Sequence, residues 1–150
     1  MRMTDQKTVP LSQDVALVAA LAGTAMPFAH SAEDQAARWL RAMRLHGQVG
    51  RVLQALGVGE SALTERADAA GHVQDTAADP EIVEHVIGRA RERASGRASE
   101  DATVTTIDLL HALFDEYGEL FDRALYVRGS SRDEVLERLV KLDQLDEIRR

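Results

Sequence analysis

Apolar positions recur along most of this chain at spacings of three and four, the period of an α-helix that buries one face. After a polar stretch over 1–9, read as a flexible arm, Leu11, Val15, Val18 and Ala22 mark a first helical face. Ser12 is its N-cap, and Gly23 and Pro27 bound its end. Ser31-x-x-Asp34 has the form of a capping box and opens a second helix, with Ala36, Trp39, Leu40 and Met43 as its stripe and His46-Gly47 as its end. A third, from about Gln48 to Leu56, turns Val49, Val52, Leu53 and Leu56 inward, and Gly57 suits the left-handed position that closes it. A fourth, from about Glu60 to Ala70, is anchored by Leu63 and Ala67 and stopped by Gly71.

The second half follows the same plan. His72 to Ala78 reads as a linker, and Asp79-Pro80 as an N-cap followed by proline at the first helical position. The helix that follows, to about Ala94, buries Val83, Val86, Ile87, Ala90 and Ala94. Beyond a polar loop over Gly96 to Thr103, the box-like Thr105-x-x-Asp108 opens a helix with Leu109, Leu110, Leu113 and Phe114 inward. Leu120, Phe121, Ala124 and Leu125 form the next face, ended by Gly129. Ser131-x-x-Glu134 is a full capping box, and Val135, Leu136, Leu139, Val140 and Leu142 carry the last helix to about Leu145, after which a charged end frays.

A shift of 72 residues superimposes the two halves. Leu11, Val15, Val18 and Ala22 fall on Val83, Ile87, Ala90 and Ala94; Arg51, Leu53 and Gly57 on Arg123, Leu125 and Gly129; Leu63, Glu65 and Arg66 on Val135, Glu137 and Arg138. In the second helix the register slips by one or two residues. The expected fold is therefore all-α, with two pseudo-twofold-related four-helix repeats, eight helices in all, spanning 10–71 and 79–145 of a domain over 10–145. Each repeat is too small to bury much surface alone, so the copies should pack together, with function in the groove between them or on matching surfaces.

Composition narrows the class. Apolar residues make up 45% and aromatic residues 4%, so the core is expected to be Ala, Leu and Val, which suits close-packed helices. There is no cysteine, which excludes disulfides, thiolate zinc sites and cysteine nucleophiles. The net charge of −7 argues against general nucleic-acid binding. No apolar run approaches a membrane span, and Val15 to Ala25 is too short and wrongly flanked for a signal peptide. A cytoplasmic location is expected.

Two segments carry a family resemblance. Gly50-Arg51-Val52-Leu53-Gln54-Ala55-Leu56-Gly57 in the first half, and Thr106, Leu109, Leu110, Ala112, Leu113, Arg123-Ala124-Leu125 and Gly129 in the second, resemble the double Clp-N repeat. This is the N-terminal domain of the ClpA, ClpB and ClpC chaperone class, and the likeness covers about residues 10–142. It implies a module that binds substrate or adaptor polypeptides, Clp ATPase or protease components, or cyclic-peptide ligands, without a cofactor. In ClpC-type domains a glutamate of the T-E-H segment helps hold the guanidinium of phosphorylated arginine. Its candidate in the first half is Glu33, or Gln35 if no insertion is allowed; in the second half the segment reads Thr106-Ile107-Asp108, where Ile107 cannot serve. These five residues are the candidate ligand-binding set. The ATPase modules of full-length relatives have no counterpart here, and no G-x-x-x-x-G-K-[ST] occurs. The expectation is a free-standing adaptor, decoy or regulator of Clp-dependent proteolysis.

Other chemistry weighs less. Asp108, His111 and Asp115 share a helix face, but a solvated polar face explains them better than a metal site. Glu81 and His85, one turn apart, read as a surface pair, and Asp115-Glu116 as an exposed carboxylate pair. No nucleophile elbow occurs, and the serines sit at helix starts as caps, so a non-enzyme is expected. The row Arg89, Arg91, Arg93 and Arg97 suits an anionic partner, but the interleaved Glu81, Glu84 and Glu92 weaken that reading. Trp39 is assigned to the core. The alternative is a helical transcriptional regulator, which lacks a basic recognition helix.

Overall fold

Ser12 accepts a hydrogen bond from the Val15 amide at 3.2 Å and so begins α1, Gln13–Ala25. This and six further α-helices make up the computed structural model, which describes residues 9–58, 81–96 and 102–149. They are α2 (Ala32–Met43), α3 (Gly47–Ala55), α4 (Ile82–Ser95), α5 (Thr106–Tyr117), α6 (Glu119–Val127) and α7 (Arg132–Arg149). There is no strand among the described residues; one isolated bridge joins Leu11 to Val104, tying the entry to α1 to the entry to α5. The protein is thus all-α. The predicted helix anchored by Leu63 and Ala67, Gly71, the His72–Ala78 linker, the Asp79-Pro80 cap, Arg97 and all of the arm but Val9 lie outside the described residues.

The predicted faces are largely the buried ones. Val15, Val18 and Ala22 of α1, Ala36, Trp39, Leu40 and Met43 of α2, and Val49, Val52 and Leu53 of α3 join one core with Val86, Ile87, Ala90 and Ala94 of α4. α5 adds Leu109, Leu110, Leu113 and Phe114, each worth about 1.5–3 kcal/mol when fully buried. Phe121 of α6 meets Phe114 edge-on at 5.3 Å between ring centres. Arg132 at the start of α7 lies 4.2 Å over the Phe114 ring and holds Asp122 through two bonds of 2.9 and 3.0 Å. α4 packs on α5, α2 on α6, α3 on both α5 and α7, and α1 on α2.

Several boundaries differ from the sequence reading. Leu11 lies outside α1 and takes part in the bridge, while Gly23 sits within the helix, which runs to Ala25 before a 3-10 turn over Met26–Phe28. α4 opens at Ile82, behind Glu81. Val140 is 57% exposed rather than inward, because the α7 stripe narrows to Val135 and Leu139 with Leu136 and Leu142 at its edges. α7 continues to Arg149. Both predicted boxes at serine are half-made: Asp34 accepts from the amide of His30 rather than of Ser31, and Glu134 from the Ser130 hydroxyl. Among the described residues, only Thr105–Asp108 closes a reciprocal box.

The two glycine stops are real and alike. Gly57 (φ +80°) and Gly129 (φ +89°) adopt left-handed backbone that a side chain would strain. Val58 N–H donates to Leu53 O and Gly57 N–H to Gln54 O; Ser130 N–H donates to Leu125 O and Gly129 N–H to Tyr126 O. Both pairs are Schellman bonds that satisfy the last carbonyls of α3 and α6.

Candidate functional site

The candidate residues sit at the starts of α2 and α5, and two different environments receive them. In α2, Ser31 caps the Asp34 amide at 3.1 Å. Asp34 bonds the Arg38 guanidinium at 3.2 Å, and Arg38 reaches back to the Ala25 carbonyl, so α2 is tied to the end of α1. Glu33, the second residue of α2, points outward and lies 3.8 Å from Arg123 of α6, both side chains being about half exposed. Gln35 turns the other way and accepts a hydrogen bond of 2.9 Å from the Tyr117 hydroxyl at the far end of α5. Burial raises the Tyr117 pKa well above the ordinary phenol value; the Trp39 indole opposes that rise and the Glu116 charge adds to it.

At the start of α5 the corresponding groups are taken up by the fold. Thr106 is buried, and its hydroxyl accepts from the Val49 amide at 3.5 Å, serving the first turn of α3, whose own cap residue His46 supplies no side-chain bond. Ile107 packs against the core. Asp108 is 1% exposed; it accepts from the Thr105 amide at 2.9 Å and pairs with Arg93 of α4 at 3.3 Å. Burying a carboxylate is tolerable only with such partners.

The five residues therefore form two groups. The Gln35–Tyr117 bond puts the start of α2, with Glu33 and Gln35, near the C-terminal end of α5, while Thr106, Ile107 and Asp108 lie at its N-terminal end, roughly 15 Å away at 1.5 Å per residue.

The arginines one turn into α3 and α6 were matched in the repeat but not read as site residues. Arg123 meets Glu33, whereas Arg51 lines a cleft of about 230 Å³ with Asp14, Leu45, His46, Gly47, Gly50 and Gln54. The signal was present: these two arginines coincide at the repeat offset. His85 pairs with Glu116 of α5 at 3.0 Å, as does Arg89 at 3.2 Å. His111 is half-buried, its pKa lowered by burial and by Arg93 against the pull of Asp115 and Asp108. Among the described residues no three His, Asp or Glu side chains converge as a metal site, and no helix is long and apolar enough to cross a membrane.

No family model, curated protein or solved structure matches this chain.

Proposed function

We propose that the chain is a non-catalytic polypeptide-binding module of two related helical halves, similar in plan to the Clp N-terminal domain, that acts as an adaptor, decoy or regulator in Clp-dependent proteolysis. One observation carries this reading: the halves share construction in detail. α3 and α6 have the same length at an offset of 72 residues, and each ends in the same pair of Schellman bonds. α2 and α5 also match in length, at an offset of 74, the two-residue slip the sequence suggested. The packing of α2 on α6 and of α3 on α5 is what exchange of the halves would produce.

On this reading the offset of 74 makes Glu33 the partner of Ile107 and favours Glu33 over Gln35 as the family's ligand carboxylate. Glu33 is exposed at the start of α2, where a guanidinium of an incoming chain would compete with Arg123. Partners would be Clp ATPase or protease components, substrate or adaptor polypeptides, or cyclic peptides, in the cytoplasm. The test is retention from a lysate of the source cells on the immobilised full chain, with identification by mass spectrometry. Clp subunits, or their substrates and adaptors, should be enriched over a blank resin; a retained set with none of these overturns the reading.

A further inference from the structure

The two arginines one turn into α3 and α6 occupy equivalent places and have different company. Glu33 is the second residue of α2, Arg123 the fifth of α6; the two helices pack together and the side chains pair at 3.8 Å. Ile107 is the second residue of α5 and Arg51 the fifth of α3, and these helices also pack together. The position on α5 that corresponds to Glu33 on α2 thus carries an aliphatic chain, so α5 supplies no carboxylate there. Arg51 is exposed, and among the described residues its guanidinium has no ion pair or hydrogen bond. We propose that the cleft at Arg51 receives a carboxylate side chain from a partner polypeptide, which takes the position Glu33 fills in the other half. The inference rests on the polypeptide-binding reading and adds the chemistry of what is bound.

A lone surface arginine is ordinary; its surroundings set this one apart. The cleft is about 230 Å³, below the roughly 300 Å³ at which drug-sized ligand sites begin, and fits a side chain better than a whole small molecule. One wall is bare backbone at Gly50, where a β-carbon would come within 2.8 Å of the Met43 carbonyl oxygen, so the close approach of α2 and α3 keeps that wall free of side chain. The His46 imidazole adds a second donor, and the half-exposed Leu45 offers apolar contact for the stem of a Glu or Asp residue. Asp14 lines the same cleft and repels any anion there, a doubly charged phosphate more strongly than a singly charged carboxylate. A guanidinium meets a carboxylate through a planar fork, so one arginine is enough to orient it.

The proposal is tested on the full chain by amide NMR titration with N-acetylated, C-amidated Ala-Glu-Ala and its Ala-Gln-Ala analogue, at low salt. The glutamate peptide should shift the amides of Gly47, Gly50 and Arg51, and the glutamine peptide should not. Arg51→Gln should abolish the response. Ile107→Glu should weaken binding at least threefold by supplying an internal partner, while Ile107→Gln, which controls for packing damage, should retain it. Glu33→Ile should create a second response around Arg123. Equal shifts with both peptides, survival of the response in Arg51→Gln, or equal behaviour of Ile107→Glu and Ile107→Gln overturns the proposal. A response to inorganic phosphate with none to the glutamate peptide also overturns it, and leaves the module reading to its own retention test.

Discussion

The starts of α2 and α5 follow one plan and end in different roles. Each has a hydroxyl cap, a carboxylate three residues on and a buried stripe behind it. In α2 the carboxylate of Asp34 reaches the His30 amide and Arg38, and the adjoining Glu33 stays outside on Arg123. In α5 the same position, Asp108, is closed off from water between Thr105 and Arg93, Thr106 crosses to α3, and Ile107 faces the core. A capping motif at the edge of the bundle leaves polar groups free to meet a partner. Placed between α3 and α4, the same motif is consumed in holding helices together. The α5 start is a joint and the α2 start a surface, although local sequence makes them look alike.

The comparison breaks most easily in the core behind the caps. Trp39 and Leu113 stand at equal distances from Ser31 and Thr105 and are both fully buried. Trp39→Ala should cost about 3–5 kcal/mol and Leu113→Ala about 2–4, measured by urea unfolding. A smaller loss for Trp39→Ala would show that the first half has the shallower core. Trp39→Phe should cost less than Trp39→Ala, about 1–3 kcal/mol, because the smaller ring leaves a smaller cavity in the same fully buried place.

The joint itself comes next. Gly47 has φ +76°, and a β-carbon there would meet Thr106 Cγ2 at 2.7 Å and Oγ1 at 2.8 Å. Gly47→Ala should cost about 2–4 kcal/mol, from left-handed strain and overpacking together. Thr106→Ala in the same chain should recover the packing part and not the backbone part. Gly57→Ala, with φ +80° but open space around it, should cost only the backbone part, about 1–2 kcal/mol. Equal losses at Gly47 and Gly57 by thermal unfolding would mean that the contact with Thr106 yields freely.

Periodicity made the helices legible, and the glycine stops at Gly57 and Gly129 were legible because left-handed backbone has so few other residues to choose from. The two-residue slip between α2 and α5 was visible too; its physical form is a connection from Arg44 to His46 in one half where the other has Gly118 alone. What could not be read was the use of each polar group. The family resemblance names Thr106, Ile107 and Asp108 as second-half counterparts of Glu33 or Gln35, and at a helix start a cap and a ligand call for the same residue types. Only packing separates them, since it decides which carboxylate is covered by a neighbouring helix. Val140 failed for a related reason: apolar spacing marks a stripe, and the stripe outlasts the helices it packs against. The Arg51 cleft is not legible in the sequence because Asp14 of α1, the Leu45–His46 connection and α3 come together only by packing.

The two cap carboxylates give a smaller and cleaner contrast. Asp108→Asn should cost about 1–2 kcal/mol, since it removes the charge that Arg93 faces and weakens a bond to the Thr105 amide in a covered site. Asp34→Asn should cost somewhat less, about 1 kcal/mol, because its partner Arg38 is an i,i+4 neighbour on the same helix and the pair is only part-buried.

The smallest effect separates the halves by pH. His111 sits on α5 where the equivalent place on α2 is the buried Ala37, so only one half carries this titrating group. Burial, Arg93 and Arg132 lower its pKa below 6.5, while Asp115 and Asp108 oppose them. The unfolded chain therefore takes up the proton first as pH falls. In that window the unfolded state binds more protons than the folded state, and stability falls with falling pH. The contribution is complete above about pH 6.5 and is lost as pH drops from there through the lower folded value. His111→Gln should flatten the stability profile in this range without changing it above neutrality, read as the midpoint of urea unfolding at a series of pH values. An unchanged slope in the variant would place the acid sensitivity elsewhere and remove this distinction between α5 and α2.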